Sequence, residues 1–184
     1  MDESLQTRVD GPGTYVLAAV VCPPARCDEI RDCLRRLLRK RQPRLHWTEE
    51  TDRRRDLIAG TLGSWGLPAL VVVGRPMDPR KQERARRLCF AGLVDHLGAH
   101  GVSRLWIEAR TPSLNRRDRQ MVDALRSQRR LPHDLRVDVA RPLQEPMLWL
   151  PDIVAGAVKA ELDRRPAWRA VMNQSIHEVN VALK

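Results

Sequence analysis

TYVLAAVVC, residues Thr14–Cys22, decides the fold class. From Tyr15 onward it offers no polar side to water, so it predicts a central strand buried on both faces. A strand of that kind needs helices above and below its sheet, which is the α/β arrangement. The neighbouring patterns agree. LPALVVVG (Leu67–Gly74) predicts a second buried strand, and VSRLWIEA (Val102–Ala109) a third. DLRVDVA (Asp134–Ala140) alternates cleanly and suits a position at or near an edge. MDESLQTRV (Met1–Val9) alternates weakly and predicts a first strand, closed by the DGPG turn.

Helical patterns separate these runs. Ala25–Arg41 carries a stripe of Cys27, Ile30, Leu34, Leu37 and Leu38, with Arg31, Arg35 and Arg39 on the other face. Glu49–Trp65 has Thr48 at its N-cap position, with Glu49 and Glu50 in the first turn. Asp78–Gly101 is apolar nearly all round after Leu88 and ends at Gly98 and Gly101. Pro112–Arg130 is amphipathic, with Leu114, Met121, Val122 and Leu125 facing in. Glu145–Leu162 is a nearly wholly apolar helix. Residues 164–184 read as a C-terminal tail with a short helix and a short extended segment. A length of 184 residues suggests one domain.

The formal net charge is +10, from 33 Lys and Arg against 23 Asp and Glu. An excess of that size suits a polyanionic partner, most often nucleic acid, and equally a solvated basic surface. No apolar run approaches the roughly 20 residues of a membrane span. The acidic start lacks the pattern of a secretory signal, so the expected location is the cytoplasm. The four cysteines form no Cys-x-x-Cys pair, and reduced, packed thiols are expected rather than zinc or disulfides. Phosphate-binding, dinucleotide-binding and nucleophile-elbow motifs are absent from the sequence.

Several acids stand where packing does not obviously want them: Asp2 and Glu3 in the first strand, Glu49 after LHW, Glu108 at the end of RLWIEA, and Asp152 inside WLPDIVAGAV. A buried carboxylate is costly unless it is paired, metal-bound or protonated. Carboxylates gathered in a basic protein suit Mg²⁺ or Mn²⁺, whose hard oxygen preference serves phosphodiester cleavage. Each also has a plain reading. Glu49 and Glu50 suit a helix N-terminus, Glu108 could pair with Arg104 or Arg110, Asp2 and Glu3 could be a solvated terminus, and Asp152 could be an N-cap. On the helical wheel Asp152, Ala155, Gly156 and Lys159 share a face of small residues, which permits close approach by a sheet, a metal or a substrate. His46, three residues before Glu49, could position a water or a phosphate.

DES at the start, YVLAAVVC, LHWTEE, VSRLWIEAR and LPDIVAGAVKAEL, in that order, resemble a bacterial family known as domain-of-unknown-function family 3800. The resemblance spans roughly residues 1–163 and rests on short motifs whose order and intervening strand pattern make it moderately specific. It implies a ribonuclease H-like fold, a mixed sheet flanked by helices that carries a carboxylate metal site. Asp2 then stands for the family's first acid, Glu108 for its middle acid, and Asp152 for the acid of the last helix, with Glu49 a weaker carry-over. The sequence departs from the pattern where Met1 alone precedes Asp2, where Leu5 replaces a glycine, and where Pro151 precedes Asp152.

These readings predict a Mg²⁺- or Mn²⁺-dependent nuclease. Asp2, Glu108 and Asp152 would be metal ligands, Glu49 a possible fourth carboxylate, and Arg110, Arg116 and Arg117 phosphate contacts. The competing expectations are a nucleic-acid-binding protein with a decayed acidic site and a protein-interaction module of a larger bacterial system.

Overall fold

The computed structural model describes residues 1–8, 11–164, 167–172 and 176–183, except for the side chains of 3–8, 11, 12 and 99. Part of the expected DGPG turn, at Asp10, and part of the basic break, at Arg165 and Pro166, lie outside the described residues.

Strands β1 (Asp2–Arg8), β2 (Gly11–Val20) and β3 (Ala69–Met77) form an antiparallel meander. Strand β6 (Ile176–Ala182) pairs parallel with β3, so the segment expected as a tail supplies the strand beside it. Strands β4 (Arg104–Glu108) and β5 (Arg136–Ala140) pair parallel with each other. Met1 links the two groups. Its amino group donates to the Trp106 carbonyl at 2.8 Å, and its own carbonyl accepts from the Glu108 N–H at 3.3 Å. Bonding to residues on either side of Ile107 is the pattern of a parallel bridge. The strands thus form a four-stranded sheet in the order β6-β3-β2-β1 and a two-stranded sheet of β4 and β5, linked through Met1, with β2 inside the larger sheet as its composition predicts.

Period-two alternation splits the core into two layers. Val16, Ala18, Val71 and Val73 point to a layer formed with helices α1 (Cys27–Arg36), α2 (Asp52–Trp65), α5 (Trp149–Leu162) and α6 (Trp168–Met172). Leu17, Ala19, Leu70 and Val72 point the other way, against α3 (Gln82–Leu97) and α4 (Pro112–Ser127). All eight strand side chains are buried, so removing any of them from water favours this three-layer packing. Between α3 and α4 the buried Arg86 guanidinium makes a two-pronged pair with Asp118, at 2.9 and 3.0 Å. No described helix is long and apolar enough to cross a membrane.

Two helix starts differ from expectation. Helix α2 begins at Asp52 after Thr51, because Trp47–Glu49 is spent on a separate 3-10 turn. Helix α5 begins at Trp149, after a 3-10 turn over Pro146–Leu148 whose Met147 N–H is capped by the Glu145 carboxylate at 3.0 Å. Asp152 therefore sits within the first turn and is not an N-cap. Pro151 is tolerated beside it, since first-turn N–H groups have no partner inside the helix.

All four thiols are free, Cys89 buried and the other three half-buried, and Cys22 and Cys27 stand with their sulfurs 3.6 Å apart. Burial, then the contact with Cys27, pushes the Cys22 thiol up to about 12.

Candidate active site

Three acids from separate elements converge. Asp2 opens β1, Glu108 closes β4, and Asp152 lies on α5, which packs across β1 and β2. The bridge through Met1 sets the first two side by side. Their carboxyls are hydrogen-bonded to each other, a bond that raises Glu108 and lowers Asp2. Burial first, then repulsion from Asp152, pushes Asp2 up to about 6. Burial first, then Asp2, pushes Glu108 up to about 7. Burial also drives the Met1 amine down to about 5.

Asp152 is held on a different side. One of its oxygens, Oδ2, accepts from the Trp47 backbone N–H at 2.8 Å and meets His46 Nδ1 at 3.1 Å. The hydrogen bond to Asp152 outweighs the burial of the ring and raises the His46 pKa above its ordinary value. Arg44 reaches the same cluster, with its guanidinium 3.5 Å from Glu108 Oε1.

The small face of α5 explains how Trp47 comes so near. Gly156 is pressed against the indole ring; a β-carbon there would lie 2.2 Å from Trp47 Cδ1. Trp47 is clamped from elsewhere as well. Trp168 meets it edge-on with ring centroids 5.3 Å apart, and Arg55 donates to its carbonyl at 3.1 Å.

The remaining expected residues fall outside this cluster. Glu49 is exposed on the 3-10 turn and reaches His46 only electrostatically. Glu3 lies in β1, and its side chain is outside the described structure. Arg110 is engaged by Glu83 and, at 3.4 Å, by Asp118. Its charge is thus committed to carboxylates of α3 and α4. Arg116 and Arg117 are exposed on α4. Sequence reasoning missed Arg44, whose only signal is a place two residues before His46. It also missed Glu50, which is no helix-start residue. Its fully buried carboxylate bonds Gln42 Nε2 at 2.5 Å and pairs with Arg54 at 3.4 Å and Arg39 at 3.5 Å.

In kind, the donors suit a hard divalent cation: three carboxylates, two of them held against their mutual repulsion. In spacing they are not a ready cage. Among the described residues, no group of three or more His, Cys, Asp and Glu side chains is placed to hold a metal ion. A cavity of about 550 Å³ opens beside the cluster, lined in part by Met1, Trp106, Pro151, Cys22, Cys27 and Arg104. The three carboxylates lie outside its lining.

No protein-family model matches the chain, and no curated protein or solved structure matches it significantly.

Proposed function

We propose that the protein is a divalent-metal-dependent hydrolase of nucleic acid phosphodiesters, built on a ribonuclease H-like fold. The observation that carries this reading is the convergence of Asp2, Glu108 and Asp152 from β1, β4 and α5 upon one another. Acids separated by most of the chain have no packing reason to meet, and their crowding costs energy that a cation would relieve. A mixed sheet flanked by helices, with Asp2 and Glu108 brought side by side through Met1, supports the fold reading.

Asp2, Glu108 and Asp152 would hold Mg²⁺ or Mn²⁺, which supplies an acidified water and charge neutralisation at the leaving oxygen when bound. The chain's own residues do the rest. His46 and the Trp47 N–H fix the Asp152 carboxylate through Oδ2. Burial holds both carboxyls of the Glu108–Asp2 pair above the ordinary carboxylate range. Arg44, 3.5 Å from Glu108, would offer a cation to a phosphate oxygen.

The test is a cleavage screen of single- and double-stranded DNA and RNA with Mg²⁺ or Mn²⁺, run beside Asp152→Asn. Metal-dependent cleavage abolished in the variant is the expected result. Cleavage that survives the substitution, or needs no metal, removes the proposed site.

A second reading, a nucleic-acid-binding protein whose acidic site no longer turns over, is favoured by the lack of a ready three-donor group among the described residues. Salt-sensitive binding with no cleavage under either metal would select it.

A further inference from the structure

We infer that residues 35–44 are the phosphate-binding strip of this site and that they take the sugar–phosphate backbone of a nucleic acid duplex; the inference rests on the phosphodiester reading above. RRLLRKRQPR contains six cationic side chains and no acid. It runs from the end of α1 to the residue that touches Glu108. Arg35, Arg36, Arg39, Lys40 and Arg41 are exposed, Arg35 being paired with Asp32 at 2.8 Å and Arg39 with Glu50 at 3.5 Å, and Arg44 is half-buried against Glu108. A cluster of acids repels a phosphodiester, so a site of this kind needs a positive field at its mouth. Arg44 brings one end of the strip to Glu108, two residues before His46.

The strip is also shaped. Arg41 holds a left-handed backbone, φ 67°, which a side chain bearing a β-carbon adopts only when its surroundings enforce it. The enforcing contacts are present. Gln42 N–H donates to the Arg39 carbonyl at 3.0 Å, and its side-chain oxygen accepts from the Arg39 N–H at 3.1 Å. Buried Glu50 holds Gln42, and Arg54 of α2 donates to the Leu37 carbonyl. This turn spends buried contacts on presenting Lys40 and Arg41 to solvent.

The aromatic residues argue for a duplex over a single strand. Single strands are gripped largely by stacking bases on exposed rings. Here Tyr15, Trp47, Phe90, Trp149 and Trp168 are buried, and Trp65 and Trp106 are partly buried, so no described Phe, Tyr or Trp is fully exposed. Arg104 covers Trp106 with its guanidinium 4.3 Å from the ring centroid. What remains is charge, which reads the backbone and not the bases.

The test compares the wild-type chain with a variant carrying Arg36→Gln, Lys40→Gln and Arg41→Gln, which spares Arg39 and its contact with Glu50. Anisotropy of a labelled duplex and of its separated strands is titrated over a range of salt. The wild type should bind the duplex more tightly than either strand. In the variant the slope of log K against log salt should fall by about 0.9 for each phosphate no longer neutralised, and affinity should drop at least ~10-fold at low salt. Its melting temperature should stay unchanged. An unchanged slope, or equal or tighter binding of single strands, overturns the inference. So does failure to bind any nucleic acid at low salt, which would point to an acidic protein partner. Asp152→Asn separates the two ideas. If it still cleaves while the triple variant no longer binds, the hydrolytic reading falls and the strip stands; if it is inactive while the triple variant binds normally, the strip falls alone.

Discussion

Gly156 and Trp47 are in such close contact that a methyl group on Gly156 would stand 2.2 Å from Cδ1 and 2.3 Å from Cγ of the indole. The glycine is thus the reason that the Trp47 backbone can donate to Asp152 at 2.8 Å.

Gly156→Ala should therefore destabilise the protein although alanine is the better helix former. The helix gain is about 1 kcal/mol, and overpacking a clamped core costs typically 1–3 kcal/mol. Trp47 cannot swing aside, because Trp168 and Arg55 hold it. Thermal unfolding should show a lower Tm, and any metal-dependent activity should fall with it. A raised Tm would mean that the ring moves freely and the contact positions nothing.

This contact also marks what the sequence could disclose. The small face of Asp152, Ala155, Gly156 and Lys159 predicts close approach by something, yet periodicity cannot say that an indole 109 residues earlier in the chain fills the space. The strands were legible because β2 and β3 are apolar on both faces, a pattern that only a covered sheet satisfies. The acids Asp2, Glu108 and Asp152 were legible as acids in apolar settings. Their partners were not. Glu50 looks like any helix-start glutamate until tertiary packing seals it beneath Gln42 and Arg54, and Arg110 looks available until Glu83 and Asp118 engage it.

Glu108→Gln should raise stability at alkaline pH and leave it nearly unchanged at acid pH. In the folded chain burial and Asp2 push Glu108 up to about 7, from an ordinary value of 4.5. The folded state therefore binds the proton more tightly than the unfolded one. Its contribution is fully present below about pH 4.5 and is lost as pH rises through about 7. Glutamine keeps a donor for Asp2 and carries no charge. At pH 8 the gain should be on the order of 1–2 kcal/mol. Urea unfolding at pH 4.5 and pH 8 measures it, and a loss of stability at pH 8 would contradict the crowded-charge account.

The His46–Asp152 pair has the same sign for a different cause. Asp152 raises the His46 pKa through their hydrogen bond, so the pair stabilises the fold below the unfolded histidine value and loses that contribution as pH rises through the folded one. Asp152→Asn should return the ring towards its ordinary value or below it, since burial then acts unopposed. An NMR titration of the His46 ring in both proteins reads this directly. Identical titration curves would place the ring out of contact with Asp152 in solution.

Two adjacent glutamates give the sharpest stability contrast. Glu50 has a fully buried side chain that gathers Gln42, Arg54 and Arg39, whereas Glu49 is exposed. Glu50→Ala strands the half-buried amide of Gln42 and the half-buried Arg54, which should cost about 2 kcal/mol or more. Glu49→Ala should stay within about 0.5 kcal/mol of the wild type. Because Glu50 pins the turn that carries Lys40 and Arg41, the first variant should also show faster amide exchange across residues 37–44, and the second should not. Equal denaturation midpoints for the two would mean that the turn is held by something other than the buried carboxylate.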